Sequence, residues 1–328
     1  MRQKIITVFG GSGFLGRYVV RALAASGSAI RVVCRRQRDA IFCKSMGDVG
    51  QIVPVQCNVR DRESVFAAVK GADCVINLTG ILFERGMQTF ESVHAEGASH
   101  IAKAARDCGV GRLTHVSAIG ADVKSESVYA KSKGTGEILV RDVFPEAVIL
   151  RPSLVFGPED EFFNRFSMYA RVLPFLPLIG GGNTKFQPVY VCDVAEAVVR
   201  SIDDKGSIGK TFELGGTEIL NFKELMQLIL RIVERRKILV PIPFWFAGLM
   251  ALVVDAGLAV PSKIFAGLTP PPPITPDQVR LLHYDNVVDN KAFSLADLGI
   301  SPVSMEAILP TYLSRYRPGG GLRDGTSY

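Results

Sequence analysis

Two groups of residues in the first forty positions have types and spacings that suit anion chemistry. Gly10-Gly11-Ser12-Gly13-Phe14-Leu15-Gly16 follows the run Lys4-Ile5-Ile6-Thr7-Val8-Phe9 and opens a stretch with helical apolar spacing (Leu15, Val19, Val20, Leu23). Gly10 permits a tight turn, Gly13 lets the backbone approach a pyrophosphate, and Gly16 lets the helix pack close to the strand. The free N–H groups and positive dipole end of that helix then face the anion. Glycines placed between a strand and a helix predict dinucleotide binding, where a merely structural turn is the plain alternative. The second group, Cys34-Arg35-Arg36-Gln37-Arg38, stands where a site for an unphosphorylated ribose carries a carboxylate, and none occurs before Asp39. Arginine there suits a 2′-phosphate, through charge-assisted bonds of roughly 1.5–3 kcal/mol each. Arg17, directly after the last glycine, can approach the same phosphate. The expected cofactor is therefore NADPH, with a solvated basic loop as the alternative.

The elements that must position these groups are legible as alternating patterns. Candidate strands are Ile5–Phe9, Ile30–Cys34, Ile52–Gln56, Cys74–Leu78, Leu113–Ser117 and Val148–Arg151, with helical spacing between them. Such alternation predicts an α/β fold with a doubly wound parallel sheet of Rossmann type, and ligands at the loops after the strands. Beyond about Pro152 the pattern loosens. Helices are expected near Glu161–Leu173, Asp193–Ile202 and Phe222–Arg235, and a strand over Lys185–Val191. The domain reading is a nucleotide-binding domain over 1–157, with later elements to about 220 contributing. A smaller, mostly helical domain follows over 158–317, then a flexible tail over 318–328. Pro270–Pro273 reads as a stiff spacer.

The chain has 328 residues, 48% apolar and 21% charged, which suffices for about two domains and excludes disordered or low-complexity classes. Its net charge is +6, yet residues 1–60 hold ten Lys/Arg against two Asp. The basicity is thus local, as an anionic ligand would need. No helix-turn-helix, zinc-finger or aromatic RNA-binding pattern accompanies it, so no nucleic-acid partner is expected. Cys34, Cys43, Cys57, Cys74, Cys108 and Cys192 show no paired spacing and read as small core residues in a reducing compartment. His94, His100, His115 and His283 lack ligand spacing, and no metal site is expected. The first strand begins almost at once, which suits a bacterial cytoplasmic chain or a mature organellar one.

Further motifs carry a resemblance to the extended short-chain dehydrogenase/reductase superfamily, of which this chain looks like an atypical member. G-x-x-G-x-x-G is that superfamily's glycine spacing. Asn58-Val59 stands where its members contact adenine, and Asn77-Leu78-Thr79-Gly80 resembles its fourth-strand motif. Tyr129-Ala130-Lys131-Ser132-Lys133 satisfies Y-x-x-x-K, and Arg151-Pro152-Ser153-Leu154-Val155-Phe156-Gly157 resembles R-P-x-x-x-Y-G with Phe for Tyr. Gln187–Ala195 resembles a later strand-to-helix motif. What this implies is a cofactor held by Gly10, Ser12, Gly13, Phe14, Leu15, Gly16 and Arg17, by Arg35, Arg36, Asn58 and Val59, by Leu78, Thr79 and Gly80, and by Ser117, Tyr129, Lys133, Pro152 and Val155. A narrower resemblance spans nearly the whole chain. Phe144–Ala147, Thr275–Leu282, Asp285–Val288, Asp297–Ile300 and Leu309–Leu313 look like segments of the NADPH-binding accessory subunits of respiratory complex I, in their bacterial form. That implies a structural NADPH, other complex I subunits as partners, and a peripheral place on the cytoplasmic face of the inner membrane.

The superfamily's reaction needs a Tyr general acid/base, a nearby Lys and a hydroxyl on the substrate carbonyl. Tyr129 and Lys133 lie four apart and share a helix face. The hydroxyl is the weak point: Ser117 ends its strand, and Ala118 and Ile119 follow where the catalytic hydroxyl usually stands. The expectation is a preserved cofactor pocket with a degraded catalytic set. The rival expectations are an active NADPH-dependent reductase or epimerase-like enzyme, and a soluble NADPH sensor. Ile238–Val260 is almost wholly apolar, with Asp255 its one charge. Its run Phe244–Val254 is too short to span a bilayer. It reads as a buried helix or as a face for membrane subunits or lipid headgroups.

Overall fold

The computed structural model describes residues 3–252 and 274–320. The chain folds into two units that alternate along the sequence. One comprises Met1–Pro152, Val191–Leu214 and Val288–Ser301, the other Ser153–Tyr190, Gly215–Val287 and Pro302–Tyr328.

The first unit is built on a seven-stranded sheet of β1 (Ile5–Phe9), β2 (Ala29–Cys34), β3 (Ile52–Gln56), β4 (Cys74–Asn77), β5 (Arg112–Val116), β6 (Val148–Pro152) and β11 (Thr211–Leu214). All its pairings are parallel, in the order β11-β6-β5-β4-β1-β2-β3. Helices α1 (Phe14–Ala25), α2 (Arg62–Val69), α3 (Gly97–Asp107), α4 (Val128–Val143) and α6 (Val191–Asp203) cover it. Covered faces explain why β1 and β4 read as continuous apolar runs, buried nearly throughout. Leu113 joins the core under α2, α3 and α4, with Val65, Ala68, Ile101 and Val140. Its neighbour Thr114 points the other way and shares a 2.8 Å hydrogen bond with Ser201 on α6. The six expected strands all form. The chain leaves β1 toward β2 and returns from β3 to β4 on its other side, so the loops after β1 and β4 diverge. This is the switch point at which such sheets open a crevice.

Among the described residues, the second unit holds three two-stranded ladders. These are β7 (Val155–Phe156) with β10 (Val189–Tyr190), β9 (Lys185–Phe186) with β12 (Leu220–Asn221), and β8 (Phe175–Ile179) with β13 (Ile238–Ile242). Its core is aromatic. Phe156, Leu176 and Phe186 from the strands are buried with Phe163 on α5 (Phe162–Val172), Phe222, Leu225 and Ile229 on α7 (Phe222–Ile232), and Leu309 and Tyr312 on the helix Met305–Leu313. Asp160 organises this core. Its carboxylate accepts from the Phe163 N–H at 2.6 Å and from the Tyr312 hydroxyl at 2.5 Å.

Three expectations change in detail. The strand over Lys185–Val191 is interrupted at Gln187-Pro188, because proline has no N–H for a ladder, and Val191 already begins α6. The helix from Phe222 ends at Ile232, and Glu234 beyond it has a left-handed φ of 53°. Residues Ile238–Ile242 of the apolar segment form a strand, in which Pro241 is tolerated because β13 is an edge. Residues 244–252 are helical, with Ala247 and Ala251 buried while Trp245 is 72% and Leu249 52% exposed. Residues 253–260 of that segment, Pro270–Pro273, and 321–328 of the tail lie outside the described residues. Among the described residues, no helix is long and apolar enough to cross a membrane.

One ion network locks the edge of the sheet. Arg151 on β6 makes two bonds to Glu137 on α4, at 2.9 and 2.7 Å, and a third at 3.4 Å to Glu213 on β11. Glu213 also accepts from the Asp289 N–H at 2.9 Å. Both carboxylates are nearly buried, so deleting the guanidinium leaves them uncompensated. Arg151→Ala should therefore lower unfolding stability by about 3 kcal/mol. Urea titration measures it, and a loss under about 1 kcal/mol would show the network to be no more than a surface pair.

Candidate functional site

The glycine loop is shaped by contacts that admit no side chain. Gly10 has a left-handed φ of 75°, and a Cβ there would press on the Leu78 carbonyl. A Cβ on Gly16 would collide with the Gly10 carbonyl oxygen and the Gly11 backbone. Gly13 is the N-cap of α1 in extended conformation, and it has no side chain to cap the helix. No acidic residue stands in the first turn. The N-terminal N–H groups of α1 are thus left to an outside acceptor, and the dipole end carries no internal countercharge.

These N–H groups border a cleft of about 630 Å³. Of the residues expected to hold a cofactor, it is lined by Gly10, Ser12, Gly13, Phe14, Leu15, Gly16, Arg35, Asn58, Val59, Leu78, Thr79 and Gly80. Four separate loops, after β1, β2, β3 and β4, supply them. Asp39 and Arg60 line it as well, so one acidic and two arginine residues border the same space. Other expected residues lie off the lining. Arg17 places its guanidinium 5.1 Å over the Phe42 ring, and Arg36 follows Arg35 as the N-cap of a 3-10 helix. Pro152 ends β6, while Val155 belongs to the second unit. Ser117, Tyr129 and Lys133 gather beyond β4 and β5 in a buried polar cluster.

That cluster contains two residues that sequence reasoning passed over, His94 and His115. Asn77 and His115 are register partners on β4 and β5. The Asn77 side-chain oxygen accepts from the Thr79 N–H at 3.0 Å, so its amide N–H₂ must face His115 Nδ1, also at 3.0 Å. His115 consequently carries its proton on Nε2, which is buried without a partner among the described residues. The Ser117 and Thr79 hydroxyls are likewise buried and unpartnered. His115 and Ser117 are two apart on β5 and share a face. Lys133 Nζ donates to the Val116 carbonyl at 3.3 Å. His94 lies on a π-helical turn, Glu91–Glu96, that runs into α3. Neither histidine had a ligand or triad spacing to betray it. The only available signal was a polar residue in an apolar period.

The electrostatics follow from burial. Desolvation, with the charge of Lys133 adding to it, drives His94 down to about 2 and His115 down to about 3. Desolvation lowers Lys133 to about 8, against the opposing pull of Glu137 one turn away. Desolvation raises the Tyr129 phenol to about 12. The residues present fit a dinucleotide. They supply a side-chain-free cradle at a helix N-terminus, a cleft at the switch point, and unpartnered buried hydroxyls beyond it.

Sheet order, glycine loop and cleft together define a doubly wound nucleotide-binding protein of Rossmann type. Residues 6–215 match the NAD dependent epimerase/dehydratase family. Over 96% of its length the chain is 39% identical to the NADH dehydrogenase (ubiquinone) 1 alpha subcomplex subunit 9 of Arabidopsis thaliana, covering 79% of that protein. The mouse subunit of the same name is 37% identical over 95% of this chain and 80% of its own. The fold is similar to that of the dTDP-glucose 4,6-dehydratase of Streptomyces venezuelae, solved with NAD and TYD bound. The TM-score is 0.61 at 20% identity, over 73% of this chain and 84% of that one. The chain belongs to the NAD dependent epimerase/dehydratase family and, within it, to the family of these alpha subcomplex subunit 9 proteins.

Both buried histidines stay neutral in the fold, whereas in the unfolded chain they bind protons below about pH 6.5. Their contribution is therefore present above pH 6.5 and lost as pH falls toward 3. Each should steepen the fall of stability by about 1.4 kcal/mol per pH unit between pH 6 and 4. In His115→Gln, whose amide oxygen can still accept from Asn77, the slope should drop by about one proton. Urea titrations at stepped pH test this, and an unchanged slope would mean that His115 is charged in the fold.

Proposed function

We propose that this chain is an accessory subunit of an NADH:quinone oxidoreductase and carries a tightly held NADPH in a structural role. The observation that carries the assembly reading is the likeness to complex I subunits along 96% of the chain, rather than over the nucleotide-binding unit alone. The structural role of the cofactor is supported by the chemistry beyond the cleft. The phenol of Tyr129 is held protonated by burial, and Ala118 and Ile119 follow Ser117 where a substrate-polarising hydroxyl would be needed. Choice of NADPH is supported by Arg35 in the cleft, which can pair with a 2′-phosphate, although Asp39 opposes it across the same space. Gly10, Gly13 and Gly16 would hold the pyrophosphate, Asn58 and Val59 the adenine, and Lys133 the nicotinamide ribose. The group supplies hydride chemistry when bound, and the second reading, an active reductase, draws on this. It is favoured by Lys133 and Tyr129 sharing α4.

Nucleotide extracted from the purified chain should be NADPH in excess over NADH, and Arg35→Ala should erase most of that preference. Gly13→Asp should empty the site while keeping the fold. Aspartate is a favourable N-cap, and its carboxylate repels the pyrophosphate. Equal retention of both nucleotides overturns the NADPH reading. Steady NADPH oxidation abolished by Tyr129→Phe establishes the reductase instead.

Docking to membrane subunits or lipid headgroups is supported by the helical turns at 244–252, whose Trp245, Phe246, Leu249, Met250 and Leu252 are exposed. Phe244 is not part of that face, since its ring stacks on His283 at 3.7 Å. A peripheral place on the cytoplasmic face of a bacterial inner membrane suits such a subunit. The paired change Trp245→Asp and Leu249→Asp should abolish comigration with NADH dehydrogenase activity on native gels while leaving bound NADPH in place. Undiminished comigration would put the docking face elsewhere.

A further inference from the structure

We propose that His94 is a positioning residue that couples the cleft to helix α4, so that a dinucleotide in the cleft and the Tyr129–Lys133 face are held in one register. The inference rests on the cleft being a dinucleotide site, and it adds the side chain that links that site to α4.

The link is a directed chain of hydrogen bonds. Ile81, in the loop after β4 that lines the cleft, donates its N–H to His94 Nε2 at 2.9 Å. A nitrogen that accepts from an N–H cannot carry a proton, so the ring's proton is on Nδ1. Nδ1 lies 2.9 Å from Ser132 Oγ and donates to it. The Ser132 hydroxyl in turn donates to the Tyr129 carbonyl at 2.8 Å. Ser132 Oγ both accepts and donates, and the other tautomer would set the ring's Nε2–H against the Ile81 N–H. The imidazole is 2% exposed, and its depressed basicity keeps it neutral throughout the physiological range.

Packing fixes the same ring from its other sides. Phe90 stacks on it at 5.5 Å, and the Tyr129 ring meets it edge-on at 5.4 Å and 90°. The π-helical turn gives the segment its extra residue, as such bulges do where a side chain must be re-aimed. On α4, Gly136 admits the turn, since a Cβ there would collide with the His94 carbonyl oxygen. The loop is close as well. A Cβ on Gly80 would stand 3.4 Å from Lys133 Nζ and 3.7 Å from His94 Nε2. One side chain thus touches a cleft-lining backbone at one nitrogen and the α4 helix at the other. A leucine could fill the space but could make neither bond.

The test uses the full chain with three variants: His94→Phe, His94→Gln and Ser132→Ala. NADPH and NADH affinities are read by calorimetry, and amide hydrogen exchange at Ile81 and along α4 is read without nucleotide. The ring's tautomer is read by nitrogen-15 NMR. In the unmodified chain His94 should be the neutral Nδ1–H form. His94→Phe should weaken NADPH binding and hasten exchange at Ile81 by about tenfold each, the effect of one lost buried bond. Ser132→Ala leaves the Ile81 bond in place, yet it should weaken NADPH binding by about fivefold and loosen α4. His94→Gln, whose amide can accept from Ile81 and donate to Ser132, should stay within about threefold of the unmodified chain. Should His94→Phe fail to fold, the other two variants decide. The coupling alone is overturned if Ser132→Ala binds NADPH as tightly as the unmodified chain with α4 exchange unchanged, or if His94 carries its proton on Nε2. Absence of nucleotide binding by the unmodified chain overturns the dinucleotide reading and the coupling to it together.

Discussion

The close approach of α1 to the end of β1 is the constraint on which the rest of the site depends. With any side chain at position 16 the helix would have to move off the Gly10–Gly11 backbone. Its N-terminal N–H groups would then no longer border the cleft. The helix leaves its own terminus uncapped by side chain or acid, so its first N–H groups are open to water or to an anion. The parallel sheet does the complementary work. By reversing direction between β1 and β4 it opens space beside those N–H groups, into which the loops after β2 and β3 also reach.

Stability and function are distributed differently around the sheet. Toward its β11 edge, Arg151 pairs with both Glu137 and Glu213 and ties α4 to two strands. The arginine of a motif that resembles a family signature is thereby committed to architecture rather than to a ligand. One turn before Glu137, the same helix carries Lys133 and Tyr129 toward the buried imidazoles. The cluster around them keeps both histidines neutral and Tyr129 protonated.

The second unit has a different logic. Its strands are short and paired in twos, and its core is filled by aromatic rings around α5 and α7. The buried carboxylate of Asp160 serves as an anchor for helix and hydroxyl alike. The helical turns at 244–252 turn Phe244 and their alanines inward, which leaves Trp245, Phe246, Leu249, Met250 and Leu252 outside. Phe244 apart, small residues inside and large ones outside invert the usual order of a buried helix.

The strands of the sheet and the glycine loop between strand and helix were legible in the sequence, because each depends on a period or on residue types within a few positions. The parallel strands announce themselves as apolar runs, since both their faces are covered, and Gly10 and Gly16 are required by the turn and by the close approach of helix to strand. Arg35 could be placed at the end of β2 by counting alone. The strand at Ile238–Ile242 was not legible, for pairing with Phe175–Ile179 is a contact across more than sixty positions and outweighs the local pattern. Nor could His94 and His115 be assigned a role. Their chemistry arises from Ile81, Asn77 and Ser132, brought to them by the β4–β5 register and by the fit of a π-helical turn against Gly136. Burial then removes their charge. A single side chain carries no mark of its tautomer or its neutrality, and only the packed structure decides both.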